Sequence, residues 1–317
     1  MSSTVPLTFI AHPATTLHGT HRVPGDKSIS HRSVMLGALA DGITHVSGFL
    51  EGEDCLATLN AFRQMGVQIE RNGDQLTIHG VGLRGLQAPQ APLDMGNSGT
   101  AMRLMCGVLA GQAFDSVLIG DASLSKRPMR RVTEPLKLMG AHIETTEKGT
   151  SPLRITGGQA RKCISYDRPV VSAQVKSCLL LAGLYAEGDT TVIEHGVSRD
   201  HTERMLQGAG YAVHTQTAPQ LLSRLTGGGA LNASLIDVPA DISSAAFFLV
   251  GAAVANHSHI TLNHVGINPT RDGVLTILRL MGADITVHNE RLMGGEPIAE
   301  LSIGSAPLHG IHIPEHL

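Results

Sequence analysis

The segment Pro24-Gly25-Asp26-Lys27-Ser28-Ile29-Ser30-His31-Arg32 gathers a lysine, an arginine and two hydroxyls where a turn runs into a helix. Such residues at a helix start suit the capture of an anion: the first backbone N–H groups have no partner within the helix, and its dipole favours negative charge. Phosphate or carboxylate is the natural occupant. Pro24-Gly25 ends the preceding strand, and Ser28 or Ser30 is available to cap the helix that continues through Val34-Met35-Leu36-Gly37-Ala38-Leu39. An ordinary capped helix with two solvated charges would use the same residues, so the rest of the chain must decide.

Two later segments carry similar chemistry. Gly96-Asn97-Ser98-Gly99-Thr100 is small and exposes its backbone, and Ser172-Ala173-Gln174-Val175-Lys176-Ser177 offers a hydroxyl, an amide and an ammonium. Guanidinium groups, suited to bidentate grip of phosphate and carboxylate, stand in Lys126-Arg127-Pro128 after Asp121, in Arg199-Asp200 and in Arg271-Asp272. Arg127 and Arg199 read as ligand contacts. Arg271-Asp272 reads as a structural helix start with aspartate as the cap.

The elements that must position these groups recur. Gly66, Gly140, Gly210 and Gly282 each close a helical pattern and precede an alternating run such as Val67-Gln68-Ile69 or Ala283-Asp284-Ile285-Thr286-Val287, at intervals of 70 to 74 residues. A second series, of helices rich in Ala, Leu and Gly, starts at Ser30, Ser98, Ser172 and Ser243 on nearly the same beat. Strands such as Thr190-Thr191-Val192-Ile193 and His259-Ile260-Thr261-Leu262 fill the gaps. The unit therefore reads strand, helix, strand, helix and one or two strands, and three anion-attracting helix starts can share one cleft.

Composition fits this reading. A chain of 317 residues with 42% hydrophobic but only 3% aromatic residues, no Trp and 36 Gly builds its core from small aliphatic side chains, as layered α/β folds do, and its length suggests two domains. A net charge of -3 with scattered basic residues and few aromatics argues against nucleic-acid binding. Cys55, Cys106, Cys163 and Cys178 show no zinc-like spacing and read as buried free thiols, in keeping with a reducing cytoplasm. His309, His312 and His316 form one loose triplet at the C-terminus and read as non-metal. Signal-peptide blocks are lacking, and the longest apolar run, from Ala245 to Ala255, is too short to span a membrane.

With Gly25 to Arg32, Gly96 to Thr100, Lys126-Arg127-Pro128-Met129 and Ser172 to Ser177 in order along the chain, the sequence closely resembles the 5-enolpyruvylshikimate-3-phosphate synthases over its whole length. Arg199-Asp200-His201-Thr202-Glu203 is similar to the bacterial branch with Ser-Ala-Gln where others have Ser-Ser-Gln. The resemblance implies an α/β enolpyruvyl transferase fold: two domains of repeated βαβαββ units, like inside-out α/β barrels. It implies a complete three-unit domain at 23–235 and an incomplete second domain formed by 1–22 with 236–317. The implied activity is transfer of the enolpyruvyl group of phosphoenolpyruvate to the 5-hydroxyl of shikimate 3-phosphate with release of phosphate, in the shikimate pathway toward chorismate and the aromatic amino acids. No cofactor or metal is implied, and the family suggests a cytoplasmic monomer and a glyphosate target.

Carried over by position, the resemblance sets Lys27, Asn97, Gly99, Arg127 and Gln174 on phosphoenolpyruvate. Shikimate 3-phosphate falls to Lys27, Ser28, Arg32, Ser172, Ala173, Gln174 and Arg199. Ala173 must act through its backbone N–H. Lys27 is the implied partner in proton transfer. The family's carboxylate base and its later Arg and Lys ligands have no counterpart here, so the expectation is a C-terminally truncated synthase with little or no activity, uncovered apolar faces and a tendency to associate. Ile311-His312-Ile313-Pro314-Glu315-His316-Leu317 reads as the entry to a fifth unit. The alternatives are a non-catalytic shikimate 3-phosphate binder and, with less weight, a UDP-N-acetylglucosamine enolpyruvyl transferase. The latter commonly carry a loop cysteine, absent from Gly120-Asp121-Ala122-Ser123-Leu124, and have Lys-Asn in place of Lys27-Ser28.

Overall fold

Two kinds of helix alternate along the computed structural model, which describes residues 8–167 and 170–314. In chain order they are α1 (Lys27–Leu39), α2 (Glu53–Gln64), α3 (Gly99–Ala110), α4 (Arg130–Leu138), α5 (Ala173–Gly183), α6 (His201–Gly208), α7 (Ile242–Val254) and α8 (Gly273–Leu280). The odd-numbered helices are the Ala/Leu/Gly-rich series. Every residue of α1 from Ile29 to Leu39 is buried, and α3 and α5 are nearly as enclosed, because a helix with few polar positions must be surrounded. The small residues let these helices approach closely: a Cβ on Gly107 of α3 would lie 2.2 Å from the Cys178 carbonyl oxygen of α5. The even-numbered helices end as expected, with Gly66, Gly140, Gly210 and Gly282 at φ 86°, 85°, 78° and 101°.

Four sheets repeat one plan. In each, a leading strand runs parallel to the strand after the odd helix, and the last two strands add in antiparallel fashion, so the spatial order is first, second, fourth, third. The second unit shows it with Leu93–Asp94, Ser116–Ile119, Leu153–Thr156 and His142–Glu144, and the third with Ser165–Asp167, Asp189–Glu194, Leu221–Thr226 and Val213–Gln216. The first and fourth units obtain their leading strands from elsewhere. Strands Leu231–Asn232 and Leu235–Asp237 pair with Ala40–Ser47 of the first unit, whereas His18–His21 pairs with His259–Gly266 of the fourth. Residues just before α7 thus serve the first sheet, and the N-terminal strand serves the fourth.

Burial follows these exchanges. One core runs from Ile29 to Val238 and joins the first three units, and another contains Val23 and residues from Ala240 to Ile303. Helix α7 packs into the second core and leaves Phe247, Phe248, Val250 and Val254 exposed. No helix among the described residues is long and apolar enough to cross a membrane.

Several sequence expectations need correction. Ser98 and Ser172 do cap α3 and α5, but the cap of α1 is neither Ser28 nor Ser30. Asp26, extended at φ -62° and ψ 124°, accepts from the Ile29 N–H at 3.0 Å, and Asp241 caps α7 by accepting from Ser243 N–H at 2.8 Å. A carboxylate caps as well as a hydroxyl and adds favourable charge at the helix start. Ser30 lies inside α1 and accepts from the Leu50 N–H at 3.0 Å. Asp272 stands at the cap position of α8 without a side-chain cap bond. Its neighbour Arg271 is the structural residue: it pairs with Asp26, with Asp241 at 3.0 Å and with the Ser243 hydroxyl at 2.7 Å. Cys163 is exposed in a loop, unlike the buried Cys55, Cys106 and Cys178. Ile311 to Pro314 form no strand, since no neighbouring strand pairs with them, and His316 lies outside the described residues.

Candidate active site

Side chains bind the starts of α1, α3 and α5 into one assembly. His31, buried on α1, places Nδ1 2.8 Å from the Thr58 hydroxyl of α2 and Nε2 3.3 Å from the Ser98 hydroxyl that caps α3. Burial, reinforced by the Arg32 and Lys27 charges, pushes the imidazole down to about 3, so at neutral pH it is an uncharged link. Arg32, also buried, donates to Thr202 Oγ1 at 2.7 Å, the Ser28 carbonyl at 2.9 Å and Ser177 Oγ at 2.8 Å, joining α1 to α6 and α5. Burial lowers its guanidinium to about 10, while Glu203 and Asp26 favour the charge.

A second cluster surrounds the start of α3. Arg127 donates to Asn97 Oδ1, and Asn97 Nδ2 donates to Asp121 Oδ2 at 2.6 Å. The Asp121 carboxyl is held below its usual range by the Leu124 N–H and then by Asn97. Arg103 reaches from one turn into α3 to the Gly99 carbonyl at 3.2 Å, the Pro128 carbonyl at 3.1 Å and Gln174 Oε1 at 3.1 Å. Gln174 Nε2 in turn donates to Thr100 Oγ1 at 3.1 Å. Burial lowers the Arg103 pKa, and the neighbouring Arg127 charge lowers it further. A Cβ on Gly99 would stand 2.7 Å from Arg103 Nη1 and 3.1 Å from Arg127 Nη1, so glycine leaves room for two guanidinium groups at a helix start.

Beside this cluster opens a recess lined by Ser172, Ala173, Gln174, Ser198, Arg199 and Thr270. Arg199 also feels Arg271, which together with burial lowers its pKa, while Asp26 and Asp241 raise it. Lys27 is half exposed at the start of α1, with Nζ 3.2 Å from Asp54 Oδ2, and Ser28 is partly exposed beside it. The expected residues therefore fall into three neighbouring groups: Asn97, Gly99, Arg127 and Gln174; Ser172, Ala173 and Arg199; and Lys27, Ser28 and Arg32.

The ammonium attributed to the α5 start is corrected. Lys176 is buried and held by Glu194 at 2.7 Å and Glu203 at 2.8 Å, because it lies one turn inside the helix and faces α6. Arg103 was missed, although its position four residues after Gly99 places it on the same helix face. Asp54 carries no comparable signal, since only the packing of α2 on α1 brings it to Lys27.

The family described as EPSP synthase (3-phosphoshikimate 1-carboxyvinyltransferase) matches residues 11–313. A 3-phosphoshikimate 1-carboxyvinyltransferase from Hydrogenovibrio crunogenus is 62% identical over 312 residues, covering 98% of this chain and 70% of its own length. One of the same name from Methylococcus capsulatus is 63% identical over 309 residues, covering 97% of this chain and 70% of its own. The solved EPSP synthase from Acinetobacter baumannii superposes with a TM-score of 0.90 at 60% identity, covering 95% of this chain and 68% of that one.

Proposed function

Because this chain belongs to the EPSP synthase family, we propose that shikimate 3-phosphate and phosphoenolpyruvate meet at the starts of α1, α3 and α5. The observation that carries this reading is the interlock of Asn97 with Arg127 and of Arg103 with Gln174 and Gly99, which concentrates cations and backbone donors at one helix start. Asn97, Gly99 and Arg127 take the phosphoenolpyruvate phosphate, and Gln174 lies between the substrates. Ser172, the Ala173 N–H and Arg199 take the shikimate phosphate. Lys27, Ser28 and Arg32 address the carboxylate end; three of the five Arg32 N–H donors are used within the protein. The proposed domains remain 23–235 and 1–22 with 236–317; two separate cores support such a division, although Val23 packs in the second core and Val238 in the first, a few residues from the proposed bounds.

In the reaction, the 5-hydroxyl adds to carbon 2 of the enol as carbon 3 gains a proton, and the ketal then loses a proton from carbon 3 and phosphate from carbon 2, which restores the double bond. Lys27 supplies or relays the proton, and the guanidinium groups hold the phosphate charge through addition and loss. The hydroxyl also needs a base. Among the described residues near these helix starts, Asp54 pairs with Lys27, Asp121 accepts from Asn97, and Asp26 and Asp241 pair with Arg271. This supports a second reading, in which these 317 residues bind shikimate 3-phosphate but turn it over slowly.

Titration with shikimate 3-phosphate, followed by a phosphate-release assay with both substrates, tests both statements. Saturable binding with release far slower than that of the relatives is the expected result. Absence of binding would overturn the site, and turnover equal to that of the relatives would overturn the second reading alone.

A further inference from the structure

Three buried charged side chains each lie four residues from a group that lines the recess: Lys176 from Ser172, Glu194 from Ser198, and Glu203 from Arg199. Lys176 Nζ joins the two carboxylates at 2.7 and 2.8 Å. Glu194 accepts from Ser198 Oγ at 2.5 Å, and Glu203 accepts from Ser223 Oγ at 2.9 Å. The Lys176 N–H bonds to the Ser172 carbonyl within α5. The sequence neighbours Ser177 and Thr202 hydrogen-bond each other at 2.7 Å and both accept from Arg32.

Apolar groups of similar size would hold α5 against α6 at least as well, since a buried ion pair recovers little more than its desolvation cost. What the charges add is direction. Each pair fixes a distance and an angle, and the chain leaves each member one short step before or after the recess. We propose that Lys176, Glu194 and Glu203 form a positioning block that seats Ser198 and Arg199 opposite the start of α5, so that the phosphate end of the ligand meets a preset site. The inference rests on the functional reading above and deepens it: the block acts on the phosphate of shikimate 3-phosphate and leaves the ring untouched.

The test compares shikimate 3-phosphate with shikimate, which lacks the phosphate, on the full chain and on Glu194→Met, which has no side-chain oxygen acceptor for Ser198, Ser198→Ala and the double variant. Each single change is expected to lower affinity for shikimate 3-phosphate about tenfold while leaving that for shikimate within a factor of about two. The double variant should lose no more than the weaker-binding single variant, because both cut the same link. Additive losses would mean that Ser198 acts on the ligand independently of Glu194 and would overturn the proposal. Equal weakening of both ligands would show a merely structural block, with the same consequence. Should Glu194→Met fail to fold, Ser198→Ala in the partly exposed loop still decides: an unchanged ratio of the two affinities overturns the inference. If the unaltered chain binds shikimate 3-phosphate and the variants match it, this inference alone fails. If the unaltered chain does not bind it, the functional reading fails and takes the inference with it.

Discussion

At the residue scale, His31 is a buried link between α2 and the start of α3. Its ring bridges Thr58 and Ser98, and burial with two nearby cations holds it near 3 against an ordinary value of 6.5. Below pH 6.5 the unfolded chain takes up a proton that the folded chain refuses. Stability contributed by neutral His31 is therefore complete above about pH 6.5 and is lost as pH falls toward 3, with a slope of about 1.4 kcal/mol per pH unit. Denaturant unfolding at several pH values, for the unaltered chain and His31→Asn, should show this slope in the difference between the two profiles. Parallel profiles would contradict it. The histidine was visible in the sequence as part of an anion-attracting cluster, but its neutral bridging role depends on Ser98, far along the chain.

At the scale of the element, the helix starts were legible and their chemistry only partly so. Serines cap α3 and α5, whereas aspartates cap α1 and α7, and Arg271 grips both aspartates. Asp26 therefore has two separable duties. Asp26→Asn keeps an oxygen for the Ile29 N–H and loses only the charge, while Asp26→Ala loses both. The alanine variant should be less stable than the asparagine variant by about 1 kcal/mol, the usual worth of a cap, and both should lie well below the unaltered chain because the Arg271 side chain, 6% exposed, loses a charge partner. Urea midpoints at constant m-value measure the difference. Equal midpoints for the two variants would remove the capping role. Local sequence around residue 26 favours serine and aspartate alike as caps; the arginine that selects aspartate comes from residue 271.

At the scale of the whole molecule, the exposed face of α7 sets its behaviour in solution. Phe247 is 81% exposed, and Phe248, Val250 and Val254 extend the apolar surface along the same helix. Burying such a face between two copies is favourable at about 25 cal/mol per Å2, so the chain should associate with itself as concentration rises. Sedimentation across a concentration series should show this, and Phe247→Ser should shift the association to higher concentration with little change in folding stability. A monomer at every concentration would refute the expectation.

The same scale separates what was legible from what was not. The 70 to 74 residue beat, the glycine helix ends and the anion-attracting segments are local in the chain, because caps and periodicity involve residues a few positions apart, and they sufficed for the repeated α/β unit and the family resemblance. The exchange of leading strands between the first and fourth units, the grip of Arg271 on two helix caps and the withdrawal of Lys176 into a carboxylate pair were settled only by tertiary packing. Those contacts join residues remote in sequence, and no local propensity records which distant charge or strand will arrive beside a given residue once the cores close.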